Sequence, residues 1–234
     1  MYFSPLYFIF ALPPLLLALY AQSRVRSAYN KYSRVATTRG LTGAQVARAL
    51  LDARGLYDVG IEASNGFLSD HYDPRSRTLR LSPDVYNGQS VAAAGIAAHE
   101  MGHALQDQVH YVPLKLRSGL VPAAQFGSRL GPMLFMGGLF LSVFSSSLLL
   151  VAWAGLILFA IAAVFTIITL PVEFNASKRA KELLVSENVL YQNEMTGVNK
   201  VLDAAALTYV AAAAQSISLV LYYAMILLGG GRRR

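Results

Sequence analysis

Residues 130 to 172 include no Asp, Glu, Lys, Arg or His. A run of eighteen or so apolar residues already suffices to cross a membrane, and this run is about twice that. As a helix it would extend about 65 Å, whereas the hydrocarbon core of a bilayer is about 30 Å thick. The run therefore predicts two membrane-spanning helices joined by a tight turn near residues 145–150. Composition agrees: only 14% of the 234 residues are charged and 55% are apolar, against about 25% charged in average soluble domains. The chain reads as an integral membrane protein.

Two further apolar segments flank this hairpin. Residues 2–21, "YFSPLYFIFALPPLLLALYA", are followed rather than preceded by positive charge. A secretory signal peptide has the opposite order, so the segment predicts an uncleaved anchor with its N-terminus outside, kinked at Pro13 and Pro14. Residues 204–228 form the last apolar segment and residues 229–234 a basic tail. If that segment crosses fully there are four spans. If only "ISLVLYYAMILL" enters the lipid there are three, because twelve residues are too few to cross.

The net charge of +7 is placed as juxtamembrane anchors. Arg24, Arg26, Lys31, Arg34 and Arg39 follow the first segment. Arg129 precedes the long run, and Lys178, Arg179 and Lys181 follow it. Cationic flanks mark the cytoplasmic side, so the polar segments 22–129 and 173–203 are expected in the cytoplasm of a multi-pass plasma-membrane protein, the second of them as one helix. No aromatic-interleaved basic stripe points to nucleic acid.

Within residues 22–129, "LTGAQVARALLDARGL" predicts a helix capped by Thr42 and stopped at Gly55. "DVGIEAS" alternates as a strand does. "SDHYDPRSRTLRLS" predicts a turn at Asp73-Pro74 followed by a strand from Thr78 to Ser82. "NGQSVAAAGIAAHEMGHALQDQ" predicts a helix with Ser90 as N-cap, its Ala and Gly content suiting close packing. There is no internal repeat.

With no cysteine in the chain, thiolate metal sites, disulfides and iron–sulfur clusters are excluded. Any metal must use His, Asp or Glu. Two of the four histidines stand four apart in His99-Glu100-Met101-Gly102-His103. On a helix that spacing stacks both imidazoles on one face, where both reach one ion about 2.1 Å away. Glu100, about 100° around the helix, reaches a water on that ion without being a ligand. Zinc so held polarises a carbonyl and activates water, and Glu100 is placed to relay the proton to a leaving amine. Two imidazoles and a carboxylate favour zinc over other divalent ions.

A catalytic zinc takes three protein ligands. Gln106 and Val109 occupy the positions where a metzincin has Gly and His, which excludes that class. His110 lies seven residues after His103, about 10 Å along the helix axis, and is expected at the surface or behind the ligands. Glu173, in "LPVEFNASKRAKELL", is the first ionisable residue after the apolar run. Groups on opposite faces of a bilayer cannot share an ion. If Glu173 joins His99 and His103, an even number of spans must separate them, and the length of the run independently gives two.

"AAHEMGHALQ", "DHYDPRSRTLRLSPDVY", "LPVEFNASKRA" and "LDAAALTYVAAA" together resemble the YugP-like neutral zinc metallopeptidases of bacterial membranes, from about residue 21 to 225. More distantly, the order of parts is similar to HtpX-type membrane peptidases and CAAX prenyl proteases. The resemblance implies a mostly α membrane protein with a gluzincin-like zinc-peptidase domain of helices plus a small β-sheet, joined to three or four transmembrane helices. It implies one Zn2+ on His99, His103 and Glu173, with Glu100 as base. The distant relatives have an acidic residue four positions after the third ligand; here that position is Ser177, a weaker acceptor for a histidine N–H, with Asn175 as a further option. Such enzymes hold substrate as an added strand, for which "RTLRLS" is the natural candidate. They also need an oxyanion helper, for which Tyr209 is the candidate, although a tyrosine there also suits a membrane-interface anchor. His71 is expected to be a turn residue.

The resulting expectation is a zinc endopeptidase acting on membrane or membrane-proximal proteins or peptides. The competing reading is a non-proteolytic membrane scaffold that keeps the fold, although a scaffold has no need of an intact Glu100. An intramembrane protease ranks lower, because polar segments flank the zinc helix and the charge-free run holds no metal ligand.

Overall fold

The computed structural model describes residues 5–66 and 69–230. In chain order the elements are α1 (Pro5–Tyr32), α2 (Gly43–Ala53), β1 (Gly60–Ala63), β2 (His71–Asp73), β3 (Thr78–Leu81), α3 (Pro83–Tyr86), α4 (Val91–Gln108), α5 (Val112–Leu141), α6 (Leu149–Ser186) and α7 (Met195–Gly230). A short 3-10 turn, Ser146–Leu148, separates α5 from α6. The fold is mostly helical with one small sheet. Pro5–Tyr32, Ser146–Ser186 and Met195–Gly229 are long and apolar enough to cross a membrane. The chain divides into two compact units. The tail arginines Arg232, Arg233 and Arg234, and residues 2–4 of the first apolar segment, lie outside the described residues.

The apolar unit comprises the described residues up to Tyr20, then Lys115–Leu170, then those from Thr208. Here α5 and α6 form the hairpin, with the chain reversing between Leu141 and Leu149. Glycines set how closely they pack. A Cβ on Gly131 would meet Phe159 at 2.8 Å, and one on Gly138 would run into the backbone of Ala152. Small residues give this contact because lipid tails supply no hydrophobic drive between helices, so close approach must. Phe135, fully buried, stacks on Tyr223 with ring centroids 4.0 Å apart. Helix α1 is unbroken through Pro13 and Pro14. Pro14 has no N–H to give the carbonyl of Phe10, four residues earlier, and the Ser218 hydroxyl donates to that oxygen at 2.6 Å instead. A freed carbonyl in lipid requires such a substitute.

The polar unit comprises Ala21–Leu114 and Pro171–Leu207. Thr42 and Gln45 form a reciprocal capping box at the start of α2, and Gly55 adopts φ +70° just beyond its end. The sheet order is β1-β3-β2, with β1 parallel and β2 antiparallel to β3. Strand β2 is longer-range structure than the sequence pattern suggests: three residues are too few to display alternation. Asp73 builds the turn after it, accepting from the Arg75 N–H at 2.9 Å and the Ser76 hydroxyl at 2.8 Å. These bonds hold its carboxyl down to about 2. His71, expected in a turn, lies in β2 instead, exposed.

Helix α4 runs through the middle of this unit. Its small residues, Ala94, Ala97, Ala98 and Ala104 among them, are buried, and its N-terminus is capped by Ser90, which accepts from the Ala93 N–H. Leu50 and Leu51 of α2, Leu79 and Leu81 of β3, Leu183 and Leu184 of α6, and Val198 and Leu202 of α7 pack in the same core.

The polar segment 173–203 is not one helix. Helix α6 continues without a break from the apolar run to Ser186. Asn188 then takes φ +52°, and the amides of Val189 and Leu190 both return to the Leu184 carbonyl. This is an αL-type helix stop, which Asn tolerates better than most residues. Helix α7 begins at Met195 and carries on through the last apolar segment. Likewise, of segment 22–129, the part from Lys115 onward belongs to the apolar unit. Charge marks where the surroundings change, while the helical hydrogen-bond ladder runs across that change.

Candidate metal centre

His99 and His103 sit in the middle of α4 and Glu173 on α6, and the three converge. The Glu173 Oε2 lies 3.2 Å from His99 Nε2 and 3.6 Å from His103 Nε2. One donor atom from each residue falls within a cluster no wider than 4.8 Å. A tetrahedral ion with bonds of about 2.1 Å spaces its ligand atoms about 3.4 Å apart. Two imidazole nitrogens and a carboxylate oxygen at these separations fit zinc in charge, softness and size.

Gly102 makes the convergence possible. A Cβ there would meet the Ala176 carbonyl oxygen at 2.6 Å and two further backbone atoms of Ala176 at 3.1 Å. Because these are backbone atoms, no side-chain rotation relieves the clash. Only glycine lets α4 and α6 approach closely enough for Glu173, one turn before Ala176, to reach between the histidines. Gly102→Ala is expected to force the helices apart, costing about 1–3 kcal/mol of stability and weakening zinc binding about tenfold or more. Chelator competition on the purified variant checks this; unchanged affinity would mean that the glycine does not set the ligand spacing.

The two rings are held from behind. His99 Nδ1 is 3.0 Å from the Ser177 Oγ, and His103 Nδ1 is 3.0 Å from the Gln106 Oε1. With Nδ1 so occupied, each ring turns Nε2 towards Glu173. Burial disfavours the charged form of His103, but the hydrogen bond to Glu173 and the charges of Glu100 and Glu173 outweigh it and raise its pKa. Protons and a metal ion therefore compete for this ring.

Glu100 is buried, 8% exposed, and among the described residues its carboxylate accepts no hydrogen bond and forms no ion pair. Among the described residues Asn175 makes no hydrogen bond to a histidine; its side chain bonds Gln106 and Arg179. Gln106 is the residue that sequence reasoning missed, having served there only to exclude another class. Its position three after His103 on the same helix face was the available signal. His110 lies past the end of α4, exposed, with φ +54°. Tyr209 lies on α7, half-buried, in the apolar unit, whereas the three donor residues belong to the polar unit.

Residues 7–228 match the family described as "Putative neutral zinc metallopeptidase". The chain belongs to this family. It is also 51% identical over 214 residues to the "Putative membrane protease YugP" of Bacillus subtilis (strain 168), across 92% of this chain and 93% of that protein. No solved structure matches it. The protein is thus a membrane member of a zinc metallopeptidase family, with Zn2+ as its cofactor and peptide as its substrate class.

Strand β3, which contains most of "RTLRLS", is the inner strand of the sheet, with β1 on one side and β2 on the other. Both of its edges are used, so it is unavailable for strand addition. Of the two outer strands, β2 lies against the metal-site helix, where the Tyr72 hydroxyl donates to Asp107 on α4 at 3.0 Å. Burial and this neighbouring carboxylate raise the Tyr72 pKa, so the hydroxyl keeps its proton.

Proposed function

We propose that the protein is a gluzincin-like zinc endopeptidase that hydrolyses membrane or membrane-proximal proteins, with its site facing the cytoplasm. His99, His103 and Glu173 would hold the zinc and Glu100 would be the general base. The observation that carries this reading is the convergence of the three donors on α4 and α6, with a buried carboxylate, Glu100, one residue from the first of them that accepts no hydrogen bond among the described residues. When bound, zinc supplies Lewis-acid polarisation of the scissile carbonyl and a lowered pKa for the attacking water. Glu100 would accept one proton from the attacking water as its oxygen bonds to the carbonyl carbon. It would then return the proton to the amide nitrogen as the C–N bond breaks, giving a carboxylic acid and an amine, which exchange the acid's remaining proton to become carboxylate and ammonium. With Nδ1 of His99 facing Ser177 and Nδ1 of His103 facing Gln106, both rings would present Nε2 to the ion. Among the described residues β2 pairs only with β3, and its other edge would take an extended substrate strand.

The expected result is hydrolysis of an unfolded reporter protein by the detergent-purified or vesicle-reconstituted chain. Activity should fall to background with 1,10-phenanthroline and return with added zinc. Cleavage that persists after the metal is removed would sink the assignment.

The cytoplasmic side rests on the cationic flanks: Arg24, Arg26, Lys31, Arg34 and Arg39 beside the first apolar segment, and Lys178, Arg179 and Lys181 beyond the charge-free run. On this reading α5 would cross the bilayer with α6, although of the two only α6 is among the helices long and apolar enough to cross by composition, because an odd number of crossings would separate Glu173 from His99. The chain has no cysteine of its own, so a single Cys placed at exposed Lys178 reports topology cleanly. It should resist a membrane-impermeant maleimide in intact cells and react after lysis; labelling in intact cells would reverse the orientation.

A further inference from the structure

Behind the His103 ring lies a chain of hydrogen bonds that the reaction does not consume. Gln106 is completely buried. Its Oε1 is 3.0 Å from His103 Nδ1, and its Nε2 donates to the Val172 carbonyl at 2.8 Å and to the Asn175 Oδ1 at 3.0 Å. Asn175 Oδ1 also accepts from Arg179 Nε at 2.8 Å. Each link has only one workable direction. A guanidinium can only donate and a main-chain carbonyl can only accept. Arg179 therefore turns the oxygen of Asn175 inward. Asn175 and Val172 together fix the amino group of Gln106, which leaves only its oxygen to face His103. An oxygen there requires the proton on Nδ1 and leaves the Nε2 lone pair for a metal.

Metal-binding histidines are ordinarily steadied by a carboxylate or a main-chain carbonyl. Glu100 and Glu173 are already buried at this site. A third carboxylate would add an anion in a region of low dielectric, where uncompensated charge is costly. A neutral amide orients the ring without that charge. Its own two-fold ambiguity is removed by Val172 and, through Asn175, by Arg179 at the edge of the unit.

We propose that Gln106, Asn175 and Arg179 form a positioning relay that sets the tautomer and aim of His103. The relay rests on the metal-site reading above and extends it to residues that touch neither zinc nor substrate. Helix α6 thereby contributes twice to the site: directly through Glu173, and indirectly through Val172, Asn175 and Arg179.

The test is zinc affinity of the full-length purified protein by chelator competition, with the visible spectrum of the cobalt-loaded protein as a readout of ligand geometry. Gln106→Leu should bind zinc about 10- to 100-fold more weakly, with a changed cobalt spectrum. Arg179→Ala, at a half-exposed position on α6, should lose roughly 3- to 10-fold and fold normally. In the Gln106→Leu background, Arg179→Ala should have no further effect, because the two act through one ring. Failure of the parent protein to bind zinc would remove the metal site itself. A parent that binds zinc, beside Gln106→Leu and Arg179→Ala variants of unchanged affinity and spectrum, would overturn the relay alone. So would additive losses in the double variant.

Discussion

Glu100→Gln should leave one zinc per chain and reduce peptide hydrolysis about 100- to 10,000-fold, the range that general acid–base catalysis contributes. The substitution is nearly isosteric. Glu100 is not among the three converging donors, and among the described residues it makes no hydrogen bond whose loss would disturb α4. What it removes is a basic oxygen: an amide cannot take the proton from water or return it to the amine. The measurement is kcat on a quenched peptide beside zinc content on the same preparation. Loss of both together would mean that Glu100 has a structural or ligand role. Retention of both would favour a membrane scaffold that needs no base.

Glu173→Ala should lose zinc, with affinity falling on the order of 1,000-fold, because a closed set of three protein ligands becomes two imidazoles on one helix. The carboxylate is 1% exposed and is the only acidic group in the donor cluster, so no neighbour on the described residues is placed to substitute for it there. Metal analysis after gel filtration reads the outcome directly. A variant that keeps a full complement of zinc would show that the ion is held without α6. It would also remove the argument that an even number of membrane crossings separates the two halves of the site.

How far the sequence announced this arrangement differs from element to element. The chain reversal between α5 and α6 was legible because so long an uncharged run exceeds one span, although of these two helices only α6 is among those long and apolar enough to cross a membrane. The α4 histidines were legible because ligand spacing on a single helix is a local property. Glu173 could be reached across seventy residues only because the bilayer forbids most alternatives. Strand β2 was hidden by its brevity, and the continuity of α6 and α7 by a change of charge that leaves helical propensity intact. Gln106 was the instructive omission. A glutamine in a helix reads as solvent-facing until the fold shows that both ends of its amide are already committed. The role of Gly102 was equally invisible, since it depends on a backbone seventy-four residues away. In both cases the missing information is a tertiary distance that no local pattern encodes.

Zinc-edge X-ray absorption on the purified wild-type chain tests the central claim most directly. One zinc is expected, with only nitrogen and oxygen neighbours at about 2.0–2.1 Å and multiple scattering from two imidazoles. A spectrum with a single imidazole or none, or a protein that takes up no zinc when it is supplied, would contradict it.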